Sequence, residues 1–173
     1  DLISLFLFIF VSYLWWTKYQ VDKMIDMYPW QKRDNYKSLI RLFTRFHVWL
    51  YEKYDGKYLG DLEGFPFCLI KVKGRKSGLT RKIVLLTIPH DEAYLLVASQ
   101  GGASTHPMWY LNMKANPEIE MQIGAQKISM VVSELSKKEK DLLWGKITSA
   151  YSGYQNYQDS TEREIPVLIC RGS

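Results

Sequence analysis

At 173 residues the chain holds one ordinary domain with an appendage, or two very small ones, and an apolar fraction of 47% is enough for a sizeable core. A net charge of +5 falls short of the dense basic field of a nucleic-acid binder, and two cysteines exclude a disulfide framework. Aromatics are high at 14%, with 12 tyrosines and 6 tryptophans, residues suited to ligand pockets and membrane interfaces. Cys68 and Cys170 fall in apolar runs and read as buried free thiols, which fits a reducing compartment. His47, His90 and His106 lack metal-ligand spacing, and there is no CxxC or HExxH, so no metal site is expected.

Leu2 to Trp16 is almost wholly apolar. As a helix it would span about 22 Å, short of the ~30 Å hydrocarbon core. Trp15, Trp16 and Tyr19 end the run as an aromatic belt would, and Lys18 and Lys23 follow. The positive-inside rule then places the rest of the chain in the cytoplasm. No basic residue precedes the run and no small-residue cleavage site follows it, which argues against a signal peptide. We expect a membrane-associating helix, spanning or inserted, with a buried core helix as the soluble alternative.

Residues 20–58 read as helical with a break near Pro29. Leu39, Leu42, Phe43, Phe46, Trp49 and Leu50 recur at spacings of three and four and predict one apolar face, with Lys37, Arg41 and Arg45 off it. Such a face packs on a domain or lies on an anionic membrane. From Gly60 the pattern changes to short strands: 67–72, 83–88, 93–99, 118–123, 127–133 and 165–170. Pro89 to Glu92 joins the second of these to the third. Gln100 to Pro107 is a glycine-bearing loop feeding a helix over 108–115, which Asn116-Pro117 stops. Ser136-Lys137-Lys138-Glu139 is a capping box opening a helix to about Ala150. Short strands with helices tucked between them predict an α+β fold built on a closed or half-closed β-barrel.

Three stretches stand apart from packing. Lys71 to Lys82 carries six cations and no acid, and two glycines bracket Arg75, Lys76 and Ser77. A turn of this kind aims N–H groups and cationic heads at one point, which suits a phosphate; its bland reading is a solvated hairpin tip. Ser99 to Pro107 permits close backbone approach to a ligand, beside a helix N-terminus with free N–H groups. Tyr151, Tyr154 and Tyr157, at spacing three and followed by Arg163, predict one aromatic face. Other chemistries lack their motifs: GxxxxGK[ST] is not met, and no GxSxG elbow exists.

Five segments in register carry a family resemblance: Gly74-Arg75-Lys76-Ser77-Gly78 with Arg81; Leu96-Val97-Ala98-Ser99-Gln100-Gly101-Gly102; His106-Pro107-x-Trp109-Tyr110-x-Asn112-x-x-Ala115-Asn116-Pro117; Tyr154-x-x-Tyr157-Gln158; and Arg163-Glu164-Ile165-Pro166-Val167. Over about residues 60–171 the chain resembles the deazaflavin-dependent nitroreductase family, within the split β-barrel flavin/deazaflavin oxidoreductases. The resemblance implies an FMN-binding split-barrel fold with flanking helices. Together with the hydropathy and periodicity of residues 1–58, which these motifs do not cover, it gives three parts: 1–19, the membrane-associating apolar helix; 20–59, the amphipathic helical region; and 60–173, the cofactor-binding barrel. It implies coenzyme F420, a deazaflavin with a phosphate and an oligoglutamate tail, and a hydride passed to a hydrophobic quinone, enone or nitroaromatic. Arg75, Lys76 and Arg81 would hold the anionic tail, with Ser77 and Gly78 shaping the turn. Ser99, Gln100, Gly101, Gly102, Trp109, Tyr110 and Asn112 would line the cofactor groove. Tyr151, Tyr154 and Tyr157 would close over the substrate, and one of them or Ser99 would supply a proton. Leu111, Gln100 and Ser152 depart from the family's common histidine, lysine and proline. FMN in the same fold, and a non-catalytic tethered carrier of an anionic ligand, are the alternatives. No nucleic-acid partner is implied.

Overall fold

The apolar run Ile83–Ile88 turns out to serve two strands. The computed structural model describes residues 37–58, 60–62 and 64–173. In chain order these form α1 (Lys37–Tyr54), β1 (Asp61–Leu62), β2 (Phe65–Lys73), β3 (Thr80–Leu86), β4 (Ile88–His90), β5 (Ala93–Val97), a 3-10 turn (Gln100–Gly102), α2 (Met108–Ala115), β6 (Glu118–Ile123), β7 (Gln126–Glu134), α3 (Lys137–Ala150), α4 (Gly153–Asp159) and β8 (Val167–Gly172). All strand pairs are antiparallel. β2 lies between β3 and β6, and the sheet continues through β7, β8 and β5 to β4. β3 and β4 are thus at opposite ends of the sheet, yet Thr87 alone separates them in the chain. Leu86 pairs with Phe67 of β2, and Ile88 with Leu95 of β5. The Thr87 N–H goes to Pro66 O at 2.9 Å. A sheet whose two ends are joined by one residue has to curl until they meet.

The expected α+β class, the curled barrel-like sheet and the flanking helices are therefore present. The apolar helix expected over 1–19 and the break near Pro29 lie outside the described residues. Among the described residues no helix is long and apolar enough to cross a membrane.

Side-chain alternation splits the core into two layers. Cys68, Ile70, Val72, Leu96, Met121, Leu168 and Cys170 fill the barrel interior. Leu95, Val97, Val167 and Ile169 face the other way and pack with Ile147, Ala150, Tyr154 and Ile165 from the α3–α4 side. β5 and β8 are buried on both faces, which explains their unbroken apolar runs. β7 alternates, with Met130 and Val132 inward and Val131 exposed. Both cysteines are buried free thiols. Burial raises the Cys68 pKa and pushes that of Cys170 up to about 12, so neither is a thiolate at neutral pH.

The apolar face expected on α1 is only partly the packed one. Leu50 is buried, but Leu42 and Trp49 are 64% and 51% exposed and Phe46 is exposed too. His47 and Tyr51 take the inner side with Leu50. Tyr51 decides this. Its hydroxyl donates to Phe67 O at 2.8 Å and accepts from Gly124 N–H at 3.0 Å, locking α1 to β2 and to the β6–β7 turn. Tyr51→Phe leaves that carbonyl and that N–H without their partner, and is expected to lower stability by about 1–3 kcal/mol. A chemical-denaturation midpoint equal to the wild type's would show that α1 is held by packing alone.

Candidate functional site

The site begins where β5 runs out. Ala98 continues the ladder, its N–H bonding Pro166 O at 2.9 Å. Ser99 then turns into the right-handed region (φ −69°, ψ −40°). Gln100, Gly101 and Gly102 follow at φ 48°, 63° and 80°. Gly102 is required here for two reasons: its φ is left-handed, and a Cβ would lie 2.1 Å from Ser160 Oγ and 3.0 Å from Tyr157 O. The loop is therefore seated on the backbone of α4.

A cavity of about 230 Å³ opens beside this loop. Its apolar wall is Leu85 and Leu86 of β3 with Val97 of β5; Ser99 and Gln100 form a polar edge; Trp109 and Tyr154 complete it. Leu85 packs toward the barrel core and Leu86 toward the helix-side core, so the cavity lies at the seam where the sheet turns its corner.

Tyr151, Tyr154 and Tyr157 are gathered as the spacing predicted, with ring centroids 5.2 to 6.4 Å apart. Tyr154 is buried and lines the cavity. Burial holds its hydroxyl well above the usual tyrosine range, so it keeps its proton. The Tyr151 and Tyr157 hydroxyls meet at 3.2 Å beside it. Gly153 makes room for this: a Cβ there would sit 2.5 Å from the Tyr151 ring.

The basic turn joins β2 to β3. Gly74 N–H bonds Leu79 O at 2.9 Å, and Gly78 N–H bonds Gly74 O at 2.8 Å. Only Gly78 is left-handed (φ 69°); at Gly74 a Cβ would approach Ser77 Oγ at 2.8 Å. The cations divide sharply. Lys71 pairs with Glu120 at 2.7 Å and Lys82 with Glu52 at 2.8 Å. Among the described residues no carboxylate lies within ion-pair distance of Arg75, Lys76 or Arg81, all exposed. Arg81 Nη2 donates to Ser77 Oγ at 3.1 Å.

Helix α2 connects the two places. Trp109 faces the cavity, and Asn112, about 4.5 Å further along the helix, accepts the Arg75 N–H on Oδ1 at 3.1 Å. Asn116 Nδ2 donates to Lys73 O at 3.1 Å. Strand β3 connects them again: Arg81 stands four residues from Leu85, roughly 13 Å. Of the groove residues expected from sequence, Ser99, Gln100 and Trp109 reach the cavity. Gly101 continues the loop and Gly102 faces α4. Tyr110 is buried, its hydroxyl on Glu134 at 3.0 Å, and Asn112 braces the basic turn. Pro107 is the N-cap of α2 rather than its first residue. Sequence reasoning missed Leu85 and Leu86 as wall residues. It also missed Arg163, whose guanidinium reaches the carbonyls of Ala98, Ser99 and Ala103.

Comparison with known proteins decides what this arrangement belongs to. The family model for F420H(2)-dependent quinone reductase matches residues 43–172. The chain belongs to that family. Its members' cofactor is coenzyme F420, and its class is F420-dependent oxidoreductase, so FMN and the carrier reading are set aside. An F420H(2)-dependent quinone reductase of Mycobacterium tuberculosis is 31% identical over 149 residues, covering 84% of this chain and 97% of the relative. A solved F420-H2 dependent reductase, FDR-A, is 37% identical with a TM-score of 0.57, covering 61% of this chain and 94% of that one. A relative solved as a domain-swapped dimer is 32% identical with a TM-score of 0.59, covering 78% and 98%.

The residues present fit the family's cofactor. The cavity, at about 230 Å³, is smaller than the roughly 300 Å³ where ligand clefts begin, so a long tail would have to lie outside it. Outside the cavity, Arg75, Lys76 and Arg81 have no acid partner among the described residues and carry the charge that an anionic tail would need.

Gly102→Ala in this F420-dependent fold puts a Cβ against the Tyr157 carbonyl and forces a left-handed alanine, at a cost of about 1–2 kcal/mol. Adding Ser160→Ala relieves only the softer contact, so stability is not restored. A Gly102→Ala protein with wild-type denaturation would show that the loop does not rest on α4.

Proposed function

We propose that this protein passes a hydride from reduced coenzyme F420 to a planar apolar acceptor of the quinone class, with the ring system in the cavity and the tail on the basic turn. One observation carries the reading: β3 runs from Arg81 to the cavity wall at Leu85 and Leu86, and α2 runs from Trp109 in the cavity to Asn112, which accepts the Arg75 N–H of the acid-free turn. The relative named as a quinone reductase supports that acceptor class. When bound, the reduced cofactor supplies the hydride.

The chain's own residues do the rest. Leu85, Leu86 and Val97 give an apolar wall and keep water off the ring. Trp109 offers an aromatic face from the opposite element. Ser99 and Gln100 address the polar edge of the ring, on a backbone shaped by Gly101 and Gly102. Arg75 and Arg81 offer planar forks to anionic oxygens and Lys76 a point charge, while Ser77 and Gly78 set their spacing. Asn112 and Tyr110 act behind them, bracing the turn and anchoring α2. A quinone taking up a hydride needs a proton at its oxygen. Tyr154 is the group we assign to give it, since its hydroxyl stays protonated at the cavity wall. Tyr151 and Tyr157 pack their rings against Tyr154, and the proton it gives up is replaced from solvent between turnovers.

Two measurements test this. Titration of the purified protein with F420, followed by oxidation of F420H2 with a naphthoquinone, is expected to show saturable binding and turnover. Arg81→Ala and Arg75→Ala should each weaken F420 binding by about tenfold, less so at high salt, with kcat nearly unchanged. Wild-type affinity in both variants would remove the basic turn from the site. Tyr154→Phe is expected to lower kcat by about a hundredfold while leaving F420 affinity within twofold. An unchanged kcat would take the proton-donor role away from Tyr154.

A further inference from the structure

Arg163 lies between α4 and β8, outside the cavity wall, and nothing in the hydride-transfer scheme calls on it. Its guanidinium is nevertheless committed to one loop. Nε donates to Ala103 O at 2.6 Å, and Nη2 donates to Ser99 O at 2.7 Å and Ala98 O at 3.2 Å. Nη1 faces His106 Nδ1 at 3.4 Å. Desolvation first, and the Arg163 charge second, hold the His106 pKa below its ordinary value, so the guanidinium faces a neutral ring.

The peptide unit turns this contact into a consequence for the cavity. In a trans peptide the C=O and the N–H of the next residue point in opposite directions, and the described chain contains no cis bonds. The carbonyls of Ala98 and Ser99 both point at Arg163. The N–H groups of Ser99 and Gln100 must therefore point away from it. Ser99 is right-handed and Gln100 left-handed (φ 48°), the alternation that makes neighbouring N–H groups converge into an anion-binding concavity. Both residues line the cavity. The loop's own hydrogen bonds run from Gly102 N–H to Ser99 O and from Ala103 N–H to Gln100 O, and use neither group. A left-handed glutamine is strained, and strain of that kind persists only where surroundings enforce it. Arg163 on the carbonyl side and α4 against Gly102 are those surroundings.

We propose that Arg163 is a positioning residue: by holding three loop carbonyls it presents the N–H groups of Ser99 and Gln100 to the cavity as a two-donor site for an electron-rich oxygen or nitrogen on the edge of the bound ring. The ligand named rests on the F420 reading above; the loop geometry does not. Fixed backbone donors aimed at accumulating negative charge are among the strongest devices an active site has.

Arg163→Lys is the deciding variant. It keeps the charge, but one ammonium head cannot reproduce a fork spanning three carbonyls. In the ligand-free protein, amide exchange at Gly102 and Ala103 should quicken at least tenfold, while Ala98, bonded to Pro166, stays as in the wild type. With F420, Arg163→Lys should bind at least tenfold more weakly at low and high salt alike, unlike the salt-sensitive Arg81→Ala. Arg163→Ala should regain part of its F420 affinity in millimolar ethylguanidine. Wild-type F420 affinity in Arg163→Lys, with or without faster exchange, overturns the inference and leaves Arg163 a structural tie. Unchanged exchange at Gly102 and Ala103 overturns it as well. A wild-type protein that binds no F420 sinks the functional reading first, and this inference with it; a wild-type protein that binds while Arg163→Lys is indifferent sinks this inference alone.

Discussion

The corner at Leu86–Thr87–Ile88 sets the terms for the rest of the molecule. A segment that pairs with β2 up to Leu86 and with β5 from Ile88 leaves no freedom in how the sheet rolls. Because side chains alternate along a strand, Leu85 and Leu86 are sent to different cores at the moment the strand changes partner. A strand cannot bend that sharply and stay packed on both sides. The gap this leaves is the cavity, and β5, which closes the corner, delivers Val97, Ser99 and Gln100 to its rim. The site is thus a product of sheet closure, and the loops are added to a hollow the barrel already makes.

Charge at the neighbouring turn is sorted by position. The exposed pair Lys82–Glu52 contributes roughly 0–1 kcal/mol, so stability is a poor account of it; Lys71–Glu120 is half-buried. Their stronger effect is on the field: they neutralise Lys71 and Lys82, whereas Lys73, Arg75, Lys76 and Arg81 have no acid within ion-pair distance among the described residues. Asn112 and Asn116 hold the turn through its backbone, at Arg75 N–H and Lys73 O, so their bracing leaves the Arg75 and Lys76 heads unengaged, while Arg81 is tied to Ser77 Oγ. A rigid backbone under uncommitted cations is what an incoming polyanion meets with least reorganisation.

What could be read from sequence follows locality. The capping box at Ser136 and Glu139 forms as written, with both reciprocal bonds made, because everything it needs lies within four residues. Asn116-Pro117 stops α2, and the tyrosine triplet gathers, for the same reason. The strand over 83–88 was misread because its break depends on partners at Phe67 and Leu95 that no local pattern reveals. The packed side of α1 was not legible for a related reason: periodicity finds an apolar stripe, but Tyr51 and its distant partners at Phe67 and Gly124 choose which side is packed. Arg163 had a place in a motif and no legible role, since its acceptors lie about sixty residues upstream.

That last contact alters which residues matter. If the polar edge of the cavity is main chain, its donors are not removed by changing the side chain at Ser99 or Gln100. The departure at Gln100, where lysine is common among the proteins the chain resembles, is then compatible with an intact site. The dependence moves outward, to residues that shape the loop without facing the cavity. Gly102 is one, because a single Cβ would press the loop off the Tyr157 backbone. Arg163 is the other, because it turns the Ala98 and Ser99 carbonyls away from the cavity. The tyrosine helix and the N–H edge are thereby one assembly: α4 bears on the loop through Gly102, and the segment just after α4 grips it through Arg163. A displacement of α4 moves the Tyr154 wall of the cavity and the Ser99–Gly102 loop together.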